Sequence, residues 1–134
     1  MKLRIKGNSI RLRLGQSEVQ RLAINGIIQE STIFGPSADH HLVYALCASL
    51  EEWGVSASFA GRRLVISVPG SEIHKWATTD QVGISALQQT GDENELRILI
   101  EKDFECIDAP PDEPQDDAFP HPQYEAACTA GKRD

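Results

Sequence analysis

Five basic side chains near the start of the chain alternate with apolar ones. They are Lys2, Arg4, Lys6, Arg11 and Arg13. Alternation is typical of a β-strand with one buried face, so all five cations are expected on the outer face of one hairpin. A group of cations attracts carboxylates or phosphates, and we interpret these residues as the candidate binding site. The alternative is a solvated face that protects a sheet edge.

The net charge of the chain is concentrated at its end. Residues 101–134 carry ten acidic and three basic side chains, whereas residues 1–100 carry ten of each, so the net charge of −7 belongs to the last segment. Residues 1–21 carry six basic side chains and one acidic one. A pI near 5.0 argues against a general nucleic-acid coat protein. Opposite charges in one chain meet at high effective concentration, so we expect residues 108–122 to fold over the basic hairpin.

This docking predicts specific neighbours. The acidic stretch 112–117 would face Arg11 and Arg13, while the rings of Phe119 and Tyr124 cover an apolar sheet edge. An unidentified protein or an anionic ligand is the other expected partner. Nucleic acid is a less favoured partner, because no aromatic residues for base stacking are interleaved with the basic ones. No membrane partner is expected, since no apolar run approaches the roughly 20 residues that span a bilayer.

The chain lacks the residue spacing that enzymes and metal sites use. No nucleophile elbow, phosphate loop or dinucleotide fingerprint is present. Cys47 lies in an apolar run, which is typical of a core cysteine. Neither His40-His41 nor the set Cys106, His121 and Cys128 has zinc-like spacing. We therefore expect no enzyme activity, no catalytic residue, no metal ion and no cofactor.

The elements that position the basic residues are repeated within the chain. Residues 7–23 and 61–77 align without a gap at an offset of 54, with matching Gly, Ser, Glu and Ala and matching apolar positions. Each copy predicts the order strand, strand, helix, strand, strand. Because the apolar stripes of the helices are short and need a partner surface, the two copies are expected to pack together.

Local signals place these elements. In the first copy, Gly7-Asn8 predicts the hairpin turn, Ser17 the helix N-cap and Asn25-Gly26 the helix end. In the second copy, Ser71 predicts the N-cap, and Trp76 lies on the apolar stripe of the helix. The other strands are predicted at residues 27–34, 41–47, 55–59, 63–68, 82–87 and 95–100.

These patterns predict an α+β protein that is mostly β. Two ββαββ units, at about residues 2–47 and 55–101, are expected to form a single domain over residues 1–107. The units would build one pseudo-two-fold sheet, sandwich or barrel with two short helices. Residues 108–134 are rich in acid and proline and are expected as a partly disordered tail. Trp53, between the units, either plugs their interface or contacts a partner.

Three segments of the chain resemble a small bacterial family of uncharacterised proteins. They are residues 2–11 (KLRIKGNSIR), 79–84 (TDQVGI) and 99–104 (LIEKDF). The resemblance covers roughly residues 1–122. It implies no particular activity.

A second resemblance concerns the hairpins. A strand, Gly7-Asn8-Ser9 and another strand before a capped helix are similar to the swapped-hairpin unit of AbrB and MazE-type transcription factors. Residues 61–69 (GRRLVISVP) fit that unit as well. The resemblance implies DNA binding by a pair of such units, which are present either in a dimer or twice in one chain.

We expect a cytoplasmic protein. The chain start has no apolar signal region, and three cysteines at irregular spacing suit a reducing compartment better than a disulfide framework. The favoured function is a non-catalytic binding or interaction module. The first alternative is a DNA-binding regulator of the swapped-hairpin type. The second is a small ligand binder or enzyme with a cleft between the two repeats.

Overall fold

The computed structural model describes residues 1–104 and 117–120. Its helices are α1 (Gln16–Asn25) and α2 (Gly70–Thr78), with a short 3-10 helix at Ala38–His40. The strands are β1 (Lys2–Lys6), β2 (Ser9–Leu14), β3 (Ile27–Ile33), β4 (His41–Ser49), β5 (Ser56–Ala60), β6 (Arg63–Pro69), β7 (Gly83–Gly91) and β8 (Asn94–Lys102). The predicted order ββαββ, present twice, is confirmed. The predicted domain boundary at residue 107 and the predicted place of Tyr124 lie outside the described residues.

The strands form two four-stranded sheets, in the orders β1-β2-β8-β7 and β3-β4-β6-β5. Each sheet combines the first hairpin of one repeat with the second hairpin of the other. The two central strands of each sheet are parallel, and each outer strand is antiparallel to its neighbour. The fold is therefore α+β, mostly β and sandwich-like, and the part of the chain that the structure describes forms no closed barrel.

The central strand pairs of the two sheets have equivalent registers. In the first sheet, Ile10 of β2 pairs with Ile98 of β8. In the second sheet, Leu64 of β6 pairs with Tyr44 of β4. The offset of 54 residues converts one pair into the other, so the two repeats share one topology.

The offset changes at the strand that follows each helix. Ile28 pairs with Leu46, and Ile84 pairs with Ile100. Leu46 and Ile100 are 54 residues apart, but their partners are 56 apart, so two additional residues precede β7. Only Gly26 joins α1 to β3, whereas residues 79–82 join α2 to β7.

Side chains of both sheets and both helices form the core. Trp76 is fully buried on the inner side of α2, and its indole N–H donates to the carbonyl of Val82 at 3.0 Å. The predicted apolar stripe of α2 is thus confirmed. Trp53 is 84% exposed, so it does not plug the interface of the repeats. Other fully buried residues are Leu12, Leu14, Leu22, Leu46, Ile66, Val68, Ile98 and Ile100.

Both helices begin earlier than the sequence predicts. α1 begins at Gln16 and α2 at Gly70, so Ser17 and Ser71 lie within the first turn and are not N-caps. The reason is that each central strand runs almost directly into its helix, which leaves no loop for a separate cap. No helix among the described residues has the length and apolar character that crossing a membrane requires.

Polar contacts join the edges of the two sheets. Gln88 of β7 accepts a hydrogen bond from the amide of Ala57 in β5 at 2.6 Å and donates to its carbonyl at 2.9 Å. The side-chain amide thus pairs with β5 as a neighbouring strand would. At the opposite edge, the ammonium group of Met1 contacts Glu30 of β3. These contacts fix the sheet that carries the basic hairpin against the other sheet.

Candidate functional site

The first hairpin gathers the predicted basic residues on one face. Its cross-strand pairs are Lys2–Arg13, Arg4–Arg11 and Lys6–Ser9. The alternate residue Leu12 points inward and is buried. All five candidate residues therefore share the outer face of β1 and β2, as predicted from the alternation. Their role in binding stays a prediction.

Sequence reasoning missed two acidic residues beside this hairpin. β8 is parallel to β2 and places Glu101 next to Arg13. Glu101 Oε1 accepts a hydrogen bond from Nε of Arg11 at 2.6 Å and lies 3.5 Å from Nε of Arg13. Asp103 Oδ2 lies 3.0 Å from Nζ of Lys2. The outer side of β1, β2 and β8, which we call the charged face, thus carries paired charges of both signs.

The charged face has no counterpart on the second sheet. Ser67 stands where Arg13 stands in the first repeat, and its β4 partner Cys47 stands where Glu101 stands. The repeat therefore supplies the strand framework, and the charges belong to the first sheet alone. A signal for the missed pairing exists in the alternation of Glu101 with apolar residues, but it becomes readable only once β8 is known to lie beside β2.

The N-terminus of α1, at the end of the charged face, holds Asp117. Its Oδ1 accepts from the amide of Ser17 at 3.0 Å, its Oδ2 from the Ser17 hydroxyl at 2.7 Å, and its carbonyl from the amide of Gln16 at 2.7 Å. The hydrogen bond from the Ser17 amide is the main reason that the pKa of Asp117 lies below its ordinary value, although burial opposes the shift. Gly15 permits this approach, because a Cβ there would lie 2.7 Å from the Asp117 carbonyl oxygen and nearer still to Oδ2.

Phe119 is anchored two residues further on. Its amide donates to the carbonyl of Asp103 at 2.8 Å, and it forms a parallel β-bridge with Phe104. The centroids of the two rings are 5.8 Å apart. Lys102 Nζ lies 5.3 Å from the Phe119 ring centroid and donates to the carbonyl of Thr79 at 2.7 Å. Lys102 is buried, and burial lowers its pKa.

The Met1 ammonium group lies beside the same end of α1. It forms ion pairs with Glu18 and Glu30, and Glu18 Oε1 also accepts from the amide of Gly15 at 2.9 Å. Burial lowers the pKa of the ammonium group, but the hydrogen bonds and charges of the two carboxylates outweigh burial, so the pKa is raised. A cleft of about 510 Å³ lies between the charged face, α1 and residues 117–118.

The described residues offer recognition of charge and of aromatic rings. Among them, no three His, Cys, Asp or Glu side chains cluster closely enough to hold a metal ion. Burial raises the pKa of the Cys47 thiol, with the charge of Arg63 opposing the shift. A raised pKa keeps this thiol protonated and poorly nucleophilic. The other predicted candidates, Cys106, His121 and Cys128, lie outside the described residues.

Comparisons with known proteins bear on both resemblances. No curated protein and no solved structure matches the chain. The resemblance to the AbrB and MazE-type unit therefore stays a prediction. A family model, described as a family of unknown function (DUF7009), matches residues 1–123 and confirms the first resemblance. The chain belongs to this family of unknown function.

Proposed function

We propose that the protein is a non-catalytic interaction module of the cytoplasm whose charged face binds an acidic segment of a partner protein. The observation that supports this most is the position of residues 117–120. This short acidic and aromatic segment contacts α1 and Asp103 at the end of the charged face. The irregular spacing of the three cysteines supports the cytoplasmic location.

Binding at this face proceeds by exchange of ion pairs. Each of Lys2, Arg4, Arg11 and Arg13 already has an interaction partner within the chain. An incoming acidic segment replaces internal carboxylates such as Glu101, so the net gain is small for each pair. Screening by salt weakens such contacts further. A modest and salt-sensitive affinity is therefore expected.

Duplex DNA fits the charged face less well. Glu101 and Asp103 lie among the basic residues and repel phosphates, which carry only negative charge. A protein segment brings amides and cations as well as carboxylates, so it satisfies both signs. The described cleft lies at the end of the charged face beside α1, so it belongs to the same surface.

A peptide titration tests the proposal. The probe is a synthetic peptide of residues 108–122, added to the ¹⁵N-labelled full chain with its own acids neutralised. We expect amide shift changes along β1 and β2 that weaken as salt rises. Adding Arg11→Glu and Arg13→Glu should abolish them. The neutralising substitutions are Asp112→Asn, Glu113→Gln, Asp116→Asn and Asp117→Asn.

Charge reversal on the second hairpin is the matched control. Arg62→Glu and Arg63→Glu change the net charge equally but lie on the other sheet, so peptide binding should persist. Equal loss in both variants, or no shift change at about 50 mM salt, would reject the proposal, because charge-driven binding is strong at low salt. A duplex DNA that binds the same chain through Arg11 and Arg13 while the peptide does not would favour the regulator instead.

A further inference from the structure

The first contact of residues 117–119 is specific for a carboxylate. Two donors of Ser17, its amide and its hydroxyl, converge on the two oxygens of Asp117. They lie in the first turn of a ten-residue helix, where the helix dipole favours negative charge. Gly15 lacks the side chain that would fill the space of this carboxylate. A neutral amide in its place loses the charge and one of the two acceptors.

The second contact is made by the backbone alone. The amide of Gln16 donates to the carbonyl of Asp117 at 2.7 Å, and Nε2 of Gln16 donates to the carbonyl of Ala118 at 2.8 Å. The amide of Phe119 donates to the carbonyl of Asp103 at 2.8 Å. No hydrogen bond depends on the side chain of Ala118, so any small residue fits there.

The third contact is specific for an aromatic ring. Phe119 packs at a tilt of 56° against the ring of Phe104, a geometry in which aromatic rings attract each other. On its other flank, the ammonium group of Lys102 lies 5.3 Å from the ring centroid, within cation–π range. An aliphatic side chain would lose both interactions.

We propose that this is a recognition site for a protein segment with a carboxylate, any small residue and an aromatic residue in that order, which residues 117–119 occupy until a partner's segment displaces them. This rests on the proposed function and names the chemistry of its partner. Twelve residues, 105–116, separate the segment from Phe104. Fully extended, they reach roughly 40 Å, so the segment can leave while β8 stays in place. An internal segment acts at an effective concentration on the order of mM, which excludes weak competitors.

Binding of a labelled peptide tests this site. The probe is a fluorescent synthetic peptide of residues 112–122, and the proteins are the full chain and its Asp117→Asn/Phe119→Ala variant. We expect the variant to bind the peptide at least tenfold more tightly than the unchanged chain, because its internal segment no longer competes. Peptides with Asp117→Asn or Phe119→Ala should bind at least tenfold more weakly than the parent peptide. The matched control peptide, with Ala118→Ser, should bind as the parent does.

Equal affinity of the two chains, or of all four peptides, would overturn the proposal. A dimer of the unchanged chain that Asp117→Asn/Phe119→Ala abolishes in sedimentation would assign the site to a second copy and overturn it too. Adding Arg11→Glu and Arg13→Glu separates this site from the charged face. Binding that survives the reversal and needs Phe119 keeps the recognition site and rejects the proposed function. Binding that needs Arg11 and Arg13 but not Phe119 rejects the recognition site alone.

Discussion

Ser17 and Ser71 occupy the same position in the two repeats, 54 residues apart, and each donates its hydroxyl to a carboxylate from outside its own helix. Ser17 donates to Asp117 at 2.7 Å, and Ser71 donates to Glu52 at 2.6 Å. Glu52 belongs to the short connection between β4 and β5, which is fixed at both ends. Asp117 lies beyond the last strand. One helix therefore receives its carboxylate from a fixed loop, and the other receives it from a segment that is able to leave.

Gly15→Ala is expected to displace Asp117 from α1. The φ of Gly15 is −77°, which alanine adopts freely, so the new Cβ acts mainly through its collision with Asp117. The amide shift of Ser17 should change strongly in the NMR spectrum. Gly70→Ala is the matched control, because its Cβ would meet only the Ser49 carbonyl at 3.4 Å. An unchanged Ser17 amide in Gly15→Ala would show that Asp117 does not bind there.

Acid is expected to release Asp117. Its pKa in the folded chain lies below the ordinary 3.8, mainly through the hydrogen bond from the Ser17 amide. A lowered pKa means that this carboxylate stabilises the fold above the unfolded pKa, and that the contribution is lost as pH falls through the folded pKa. The Ser17 amide shift should therefore titrate below pH 3.8. Asp117→Asn should remove the transition, and a transition above that pH would contradict the docked carboxylate.

Local patterns predict the repeat but not the pairing of its hairpins. The alternation around Arg11 and the stripe that contains Trp76 each depend on neighbours in sequence, and both predictions are confirmed. An offset of 54 is compatible with separate repeats and with exchanged hairpins alike, so it does not predict that Glu101 lies beside Arg13. The actual exchange depends on packing between distant strands.

Net charge likewise predicts only part of the candidate site. Opposite charges in the chain favour contact between its acidic end and Arg11 or Arg13, and that contact stays a prediction. The described contact of Asp117 is with backbone and hydroxyl donors of α1, which a sum of charges does not include. Ser17 was predicted as an N-cap, and its place in the first turn frees its amide and hydroxyl for this carboxylate.

Trp76→Ala is expected to lower the free energy of unfolding by about 3–5 kcal/mol, as truncation of a buried aromatic residue does. Trp76 is fully buried, and its loss also leaves the Val82 carbonyl without its donor. Trp53→Ala is the matched control and should change stability by less than about 0.5 kcal/mol, since Trp53 is 84% exposed. Urea denaturation measures both. A loss below about 1 kcal/mol for Trp76→Ala would place this side chain outside the core.

The ion pair of Arg11 with Glu101 is expected to be energetically coupled. These side chains are only 24% and 20% exposed and share a hydrogen bond of 2.6 Å, so a double-mutant cycle with alanine should give a coupling of about 1 kcal/mol. The control pair, Arg62 with Asp39, is 48% and 82% exposed. Its cycle should give no measurable coupling. Equal values for the two pairs would mean that the charged face is as loosely held as the open surface.

The claim that residues 117–119 occupy a recognition site is tested most directly by the nuclear Overhauser effects of Phe119 in the full chain at neutral pH. We expect cross-peaks from its ring protons to the ring of Phe104 and to the side-chain methylenes of Lys102, since the Phe119 ring contacts both. The cross-peaks should persist at high salt, because ring packing and backbone hydrogen bonds are screened little. No cross-peak from Phe119 to either residue, at low or high salt, would contradict the claim.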